Sequence, residues 1–121
     1  MDREWNDKEP IYRQLRDRVI AMILEGTLKE GDPLPSVRNV AAEYRVNPLT
    51  VLKGYQELVD ADLVESKRGL GMFVKPGAKE ALMKNERRDF LKEEWPEVLK
   101  KIRRLGLNAE DLLNGKKEEE R

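Results

Sequence analysis

The sequence has no cysteine and no histidine among its 121 residues. Without cysteine the chain forms no disulfide and offers no thiolate to a metal, a composition that fits the cytoplasm. Without histidine, a metal site would need carboxylates alone, and a catalytic nucleophile would lack its commonest general base. We therefore expect a protein that is not an enzyme and that has no cofactor.

Long apolar runs are also missing, because no stretch approaches the ~18 residues of a membrane span. The first ten residues, MDREWNDKEP, are acidic and polar, unlike a secretory signal. Charged residues make up 40% of the chain and apolar residues 39%. This length and composition predict one modest domain with a lean core plus an appendage, and no membrane partner.

Net charge is absent as well, since 24 basic residues balance 24 acidic ones. The distribution is nevertheless uneven along the chain. Residues 36–54 and 66–75 together carry six basic residues against one acidic residue, whereas the rest of residues 1–75 carries six basic and twelve acidic residues. Two basic segments in an otherwise acidic half favour a polyanionic partner if they share one face.

Apolar periodicity predicts a first helix over residues 10–25, with Pro10 in its first turn and Gly26 as its stop. A turn-rich link follows this helix. Ser36 is then the predicted N-cap of a short second helix over residues 36–44. The inward-facing stripe of the first helix consists of Ile11, Leu15, Val19, Met22 and Ile23.

Asn47 and Pro48 start a third helix over residues 48–61, because asparagine is a favoured N-cap and proline a favoured first helical residue. The following segment, DLVESKRGLGMFVK, alternates in polarity and is split by two glycines. It predicts a hairpin of two short strands with Lys67 and Arg68 at its tip. Three helices followed by a hairpin are the element order of a winged helix-turn-helix.

Several residues of the third helix lie off the apolar stripe that faces the core. In such a fold the start of this helix meets base edges, so Leu49 is placed for a thymine methyl and Thr50 for a base or phosphate. Lys53 lies one turn further on, within reach of a phosphate. The alternatives are an ordinary exposed or packing position for Leu49 and a cover over the preceding helix for Leu52. Gly54 predicts close helix–helix packing.

Arg38 follows the predicted cap of the second helix by two residues and is placed for a phosphate or a guanine. Its alternative is a surface ion pair with Glu43 or Asp32. Lys67 and Arg68 would approach DNA from the hairpin, unless they are simply a solvated tip. The coincidence of three basic elements in this fold order is more specific than any one of them.

Five short motifs follow one another in residues 10–74: P-I-Y-x-Q-L, G-D-x-L-P-S-x-R, V-N-P-x-T-V, Y-x-x-L and R-G-x-G-x-F-V. Together they resemble the N-terminal DNA-binding domain of GntR-family transcription regulators, and the chain is most similar to the YtrA-like subfamily. The resemblance implies a mainly α-helical winged helix-turn-helix with a small β-hairpin, and double-stranded DNA and a second copy of the chain as partners. It also implies DNA contacts at Ser36, Arg38, Asn47, Pro48, Thr50 and Gly69.

The C-terminal part is helical by composition, and Pro96 predicts a kink or a restart within it. Gly106 and Asn108 signal one more short helix. An apolar strip is the predicted dimer interface, although it could instead pack on its own head: Leu91, Trp95, Val98, Ile102 and Leu105. The predicted divisions are a DNA-binding domain at 1–76, a helical dimerisation segment at 77–115 and a disordered tail at 116–121.

Two functions from different classes fit these observations. The first is a sequence-specific DNA-binding transcription regulator, a repressor that binds a pseudo-palindromic operator as a homodimer. The second is a winged-helix protein–protein interaction module that docks through its helical segment. Such a module would not need basic residues at positions 38, 53, 67 and 68 on one face. No sequence feature identifies a small-molecule effector.

Overall fold

The computed structural model describes residues 5–115, so the predicted disordered tail at 116–121 lies outside the described residues. The described chain contains six α-helices, one π-helical turn and two β-strands. In chain order they are α1 Ile11–Glu25, α2 Val37–Tyr44, α3 Pro48–Asp60, β1 Val64–Lys67, β2 Gly71–Val74, α4 Ala78–Asp89, the π-helical turn Phe90–Glu94, α5 Trp95–Arg104 and α6 Ala109–Leu113.

The first three helices differ by at most one residue at either end from their predicted bounds, and the three predicted caps are in place. Gly26 adopts φ 87° after α1, and its N–H donates to the carbonyl oxygen of Ile23. The Oγ of Ser36 accepts the Asn39 N–H at 3.0 Å and caps α2. The Oδ1 of Asn47 accepts an N–H of the first turn of α3 at 2.8 Å. The interpretation of Asn-Pro as a helix start is therefore confirmed.

The core lies between α1, α2, α3 and the hairpin. Its largest fully buried side chains are Ile23, Val51, Leu58, Val64 and Val74. Of the predicted α1 stripe, Leu15, Val19 and Ile23 are buried, whereas Ile11 and Met22 pack against the core from its edge. Burying one such aliphatic side chain contributes about 1.5–3 kcal/mol, so this apolar cluster is the main source of stability.

Gly54 brings α1 and α3 together at their closest approach. A Cβ at this position would lie 2.8 Å from the backbone oxygen of Tyr12, closer than real Cβ atoms come to a neighbour. Any larger residue would push the two helices apart. The sequence-based prediction of close helix–helix packing at Gly54 is therefore confirmed.

The two strands form an antiparallel hairpin in which Val64 pairs with Val74 and Lys67 with Gly71. The link before α2 is more ordered than a turn-rich segment suggests, because it runs along the free edge of β2. There the Leu34 N–H donates to the Met72 oxygen at 2.8 Å. This edge pairing fastens the hairpin to the residues that lead into α2, and the helices and hairpin together form a winged helix-turn-helix.

The chain divides into two compact units, one ending at Met83 and one beginning at Lys84. We call residues 5–83 the head and residues 84–115 the C-terminal unit. In the C-terminal unit the Trp95 N–H donates to the oxygen of Phe90, five residues earlier, in the π-helical turn just before Pro96. Proline has no N–H to continue the regular pattern, and α5 starts anew at Trp95 with Pro96 as its second residue. Of the two predicted alternatives, a kink or a restart, the structure has the restart, one residue before Pro96.

The short final helix α6 is capped by Asn108, whose Oδ1 accepts the N–H groups of Glu110 at 2.9 Å and Asp111 at 3.2 Å. This confirms the predicted start signal. Between residues 84 and 115 no residue is buried. No helix of residues 5–115 is both long enough and apolar enough to span a bilayer.

Candidate nucleic-acid interface

The start of α3 presents its outer residues to solvent. Asn47, Pro48 and Leu49 are exposed, Thr50 is half-buried, and Leu49 retains 70% of its accessible surface. Since the Asn47 Oδ1 is occupied by the helix cap, its amide NH₂ remains the group that can donate to an acceptor. This end of α3 therefore offers a donor, a hydroxyl and an apolar surface side by side.

The start of α2 offers a second polar surface. Ser36 is exposed, and while its Oγ accepts the cap hydrogen bond, its hydroxyl hydrogen stays available for an anion. Arg38 is exposed, and among residues 5–115 it has no ion-pair partner. The Asp32 carboxylate accepts the Lys29 N–H instead. The alternative interpretation of Arg38, a surface pair with Glu43 or Asp32, is not seen.

The hairpin tip differs in one detail from its sequence-based prediction. Lys67 is the last residue of β1 rather than part of the tip, and its ammonium lies 4.8 Å from the centroid of the Phe73 ring. The tip itself is Arg68, Gly69 and Leu70, closed by the Leu70 N–H donating to the Lys67 oxygen at 2.9 Å. The paired part of β1 therefore includes Lys67, which the sequence pattern had placed in the turn.

Gly69 and Leu70 give the tip its shape and character. Gly69 adopts φ 77°, a left-handed conformation that favours glycine, and no side chain crowds it. Leu70 is 73% exposed, which makes it the most exposed large apolar residue of the described head. Leu70 was not among the residues predicted from the sequence, although it is an apolar residue between two glycines at a hairpin tip.

A groove of about 430 Å³ brings the hairpin and the start of α2 together. One wall carries Ser36 and Val37, and the other carries Lys67, Arg68 and Gly69. Residues of both basic segments therefore line one groove, and its two cations, Lys67 and Arg68, come from the second segment. A groove with a hydroxyl and a helix start on one side and two cations on the other suits an anionic chain.

Tyr55 holds the floor of this groove in place. Its hydroxyl donates to the carbonyl oxygen of Pro35 at 2.8 Å, which fixes the backbone just before Ser36. Burial raises the pKa of Tyr55 to about 12, with a smaller contribution from nearby Tyr44. The neutral phenol is thus kept as a hydrogen-bond donor between α3 and the start of α2.

Two other cations of the basic segments are engaged within the protein. Lys75 forms an ion pair with Asp62, and this hydrogen bond raises the pKa of Lys75. Lys53 places its ammonium 4.2 Å from the centroid of the Tyr12 ring on α1. Lys75 is therefore occupied by a carboxylate, whereas Lys53 keeps an uncompensated charge on the surface of α3.

The predicted dimer residues lie on the C-terminal unit. Leu91, Val98 and Leu105 are exposed, and Trp95 and Ile102 are half-buried. Further exposed apolar residues that the sequence analysis did not single out are Phe90, Leu112 and Leu113. Within residues 5–115 no group of three or more potential ligand residues is placed to hold a metal ion.

Comparison with known proteins identifies the family of this chain. A sequence model described as "Bacterial regulatory proteins, gntR family" matches residues 11–74. The chain belongs to the GntR family. The matched region runs from the start of α1 to the end of β2 and therefore includes α2, α3 and the hairpin.

GntR-family relatives match well beyond the head. The uncharacterized HTH-type transcriptional regulator YhcF of Bacillus subtilis (strain 168) is 36% identical over 116 residues, covering 95% of this chain and 93% of YhcF. The HTH-type transcriptional repressor YtrA of the same organism is 34% identical over 103 residues, covering 85% and 78%. The structure of YtrA from Sulfolobus acidocaldarius, a GntR-family transcription factor, has a TM-score of 0.59 and 34% identity, covering 74% and 95%.

Membership of the GntR family and the winged helix make this chain a DNA-binding transcription regulator. The predictions of the family, the mainly helical fold with a hairpin, and this function are confirmed.

Proposed function

We propose that the chain is a repressor that binds a pseudo-palindromic operator as a homodimer in the cytoplasm, and that it acts by binding rather than by catalysis. The relative YtrA of Bacillus subtilis is named a repressor, which supports the direction of regulation. No small-molecule effector is part of the proposal.

The proposed base-reading surface is the start of α3, with Asn47, Pro48, Leu49 and Thr50. A recognition helix inserts its N-terminal residues into the major groove, where a thymine presents a methyl group and other bases present donors and acceptors. The exposure of Leu49 supports a contact with a thymine methyl. The free amide of Asn47 and the hydroxyl of Thr50 support hydrogen bonds at the same end.

The proposed backbone-binding surface is the groove between the start of α2 and the hairpin. Ser36, Lys67 and Arg68 would contact phosphates there, and Gly69 would let the hairpin tip approach the minor groove. Arg38 lies outside this groove, in a shallow depression that it shares with Pro48 at the start of α3, and would contact DNA from there. Arg38 has the further option of a bidentate contact with guanine. The observation that carries the proposal is that α2 and the hairpin share one groove beside exposed cations.

The proposed dimer forms through residues 77–115, with the strip Leu91, Trp95, Val98, Ile102 and Leu105 at its centre. An apolar strip that a single chain leaves exposed usually marks an interface. In a two-fold symmetric dimer the same strip serves both subunits. Two recognition helices would then read half-sites about one DNA turn apart, roughly 34–36 Å.

A selection of duplexes from a random pool by the full chain, followed by salt titrations, tests this function. The selected duplex should contain two inverted half-sites and bind more tightly than random DNA at every salt concentration. Arg38→Ala should cost about 1–3 kcal/mol and relax preference at one base if Arg38 reads guanine. Equal affinity for selected and random duplexes would rule out sequence-specific regulation.

A further inference from the structure

The seam between α1 and α3 carries a second cationic surface outside the groove. Because Gly54 allows the two helices to approach so closely, the side chain of Tyr12 on α1 lies beside Lys53 on α3. The Lys53 ammonium is 4.2 Å from the Tyr12 ring centroid, and the guanidinium carbon of Arg13 is 5.8 Å from the same centroid. Two cations from different helices thus flank one aromatic ring.

Neither cation has a carboxylate partner within residues 5–115. Glu57 lies four residues after Lys53, where it could form a helical ion pair, but it accepts a hydrogen bond from Arg16 at 2.8 Å. Asp17 lies four residues after Arg13, and it too pairs with Arg16, at 2.9 Å. Arg16 therefore engages both nearby acids and leaves Arg13 and Lys53 with uncompensated charge.

The position of Lys53 connects this surface with the base-reading end of α3. Leu49 and Lys53 are four residues apart, so they lie on the same side of the helix one turn apart. Both Lys53 and Arg13 are exposed, and Tyr12 is half-buried. A duplex that meets Leu49 would therefore bring its sugar-phosphate backbone toward Lys53 and the seam.

We propose that Tyr12, Arg13 and Lys53 form a binding site for backbone phosphates of duplex DNA that flank the bases read by α3. Arg13 and Lys53 supply the charge, and the Tyr12 hydroxyl supplies a neutral hydrogen bond. The Tyr12 ring also holds the flexible Lys53 side chain by a cation–π contact, which lowers the entropy lost on binding. This site rests on the proposed function and extends it from α2, α3 and the hairpin to α1.

The salt dependence of binding tests the charged pair. Removing one phosphate contact should reduce the slope of log affinity against log salt by about 0.9 in magnitude, so Arg13→Gln with Lys53→Gln should reduce it by about 1.8. The base preference of the doubly substituted chain should remain unchanged. Lys29→Gln removes the same kind of charge beyond the opposite end of α1, about 20 Å away, and should leave the slope unchanged.

A phosphate scan locates the site on the DNA. Methylphosphonate linkages, which are uncharged, are placed one at a time along a duplex selected by the full chain. The unsubstituted chain should lose affinity at one or two phosphates that flank each half-site. The doubly substituted chain should lose nothing further at those phosphates while remaining sensitive at the others. Tyr12→Phe should weaken binding a few-fold with no change in salt slope, because it removes a donor but no charge.

The outcomes separate this site from the general function. A lower melting temperature for the doubly substituted chain, with salt slope and phosphate profile unchanged, would overturn the site and make the seam contacts purely structural. The site would also be overturned if Lys29→Gln changed the slope as much as the seam substitutions do. A full chain that selects no sequence at all would instead contradict the proposed function.

Discussion

The head and the C-terminal unit differ in how they use apolar side chains. The head buries a contiguous core that reaches from Leu15 on α1 to Ala78 at the start of α4. The C-terminal unit contains Trp95 and an apolar strip, yet none of its described residues is buried. A region that leaves such an apolar strip in water would gain stability from a partner surface that covers it.

This difference separates the tasks of the two units. The head has what an independent fold needs, namely a core, capped helices and a hairpin tied to the link before α2. The C-terminal unit consists of hydrogen-bonded helices whose apolar side is exposed. We therefore expect the head to determine which DNA is bound and the C-terminal unit to determine how many heads bind together.

The largest effect should come from removing the C-terminal unit. A chain truncated after Met83 keeps Ala78, which is buried in the head, and should remain folded. It should be monomeric and should lose about 10²–10⁴-fold in affinity for a two-half-site operator, because linked binding of two heads is lost. Sedimentation and binding to duplexes with one or two half-sites measure both effects.

The control for this truncation is the single half-site, for which the full and truncated chains should differ little. Trp95→Ala should give a milder form of the same defect. If the full chain sediments as a monomer at micromolar concentration and still binds the palindrome tightly, dimerisation through the C-terminal unit is not the source of operator affinity.

A matched pair of core and strip substitutions should give the next largest effect. Leu58→Ala in the fully buried centre of the head should lower the free energy of unfolding by about 2–5 kcal/mol at any protein concentration. Val98→Ala on the exposed strip should lower the melting temperature only where the chain is dimeric, so its effect should depend on protein concentration. Thermal melts across a hundred-fold range of concentration make this comparison. Concentration-independent destabilisation by Val98→Ala would place Val98 in an intramolecular core.

Local signals predicted most of the head because each depends on a few neighbouring residues. Ser36, Asn47 and Gly26 cap helices through contacts within three residues, and the sequence therefore contained the whole cause. Gly54 was predictable for a related reason, since a glycine in a helix interior costs about 1 kcal/mol and needs a compensating packing contact.

Contacts between distant segments were not predictable in the same way. The pairing of the link before α2 with β2, and the position of Lys53 over Tyr12, depend on how separate elements pack. Lys67 was placed at the hairpin tip because alternating polarity and glycines show roughly where a turn lies, whereas the last paired residue depends on the strand register. For the candidate site, the sequence indicated the residues of α2, α3 and the hairpin but not the seam with α1.

A moderate effect should follow from Tyr55→Phe, which tests whether the core of the head positions the proposed DNA-binding groove. The change removes the hydrogen bond to the Pro35 oxygen and should lower the free energy of unfolding by about 1–2 kcal/mol at neutral pH. It should also weaken operator binding through Ser36 and Arg38, since their backbone loses this support. Urea unfolding and binding titrations measure the two changes, and unaltered binding would show that the groove does not depend on Tyr55.

The same substitution has a pH signature. The pKa of Tyr55 is about 12 in the folded chain against an ordinary value of 10.0, so unfolding releases a proton between these pH values. The stabilising contribution is therefore fully present below pH 10 and is lost as the pH rises toward 12. The parent chain should lose more stability across this window than Tyr55→Phe does, as measured by urea unfolding at each pH.

The smallest effect should come from substituting exposed leucines. In the head the substitution should change DNA binding, and in the C-terminal unit it should change dimerisation. Leu49 in the head and Leu105 in the C-terminal unit are 70% and 58% exposed. Leu49→Ala should change stability by less than about 0.5 kcal/mol and leave the oligomeric state unchanged. It should weaken binding to a selected duplex with thymine at the facing position by about 0.8 kcal/mol, and weaken binding less when uracil, which lacks the methyl group, replaces that thymine.

Leu105→Ala should weaken the dimer without changing this thymine preference. A loss of about 2–5 kcal/mol of stability in Leu49→Ala would instead assign Leu49 to packing in the head.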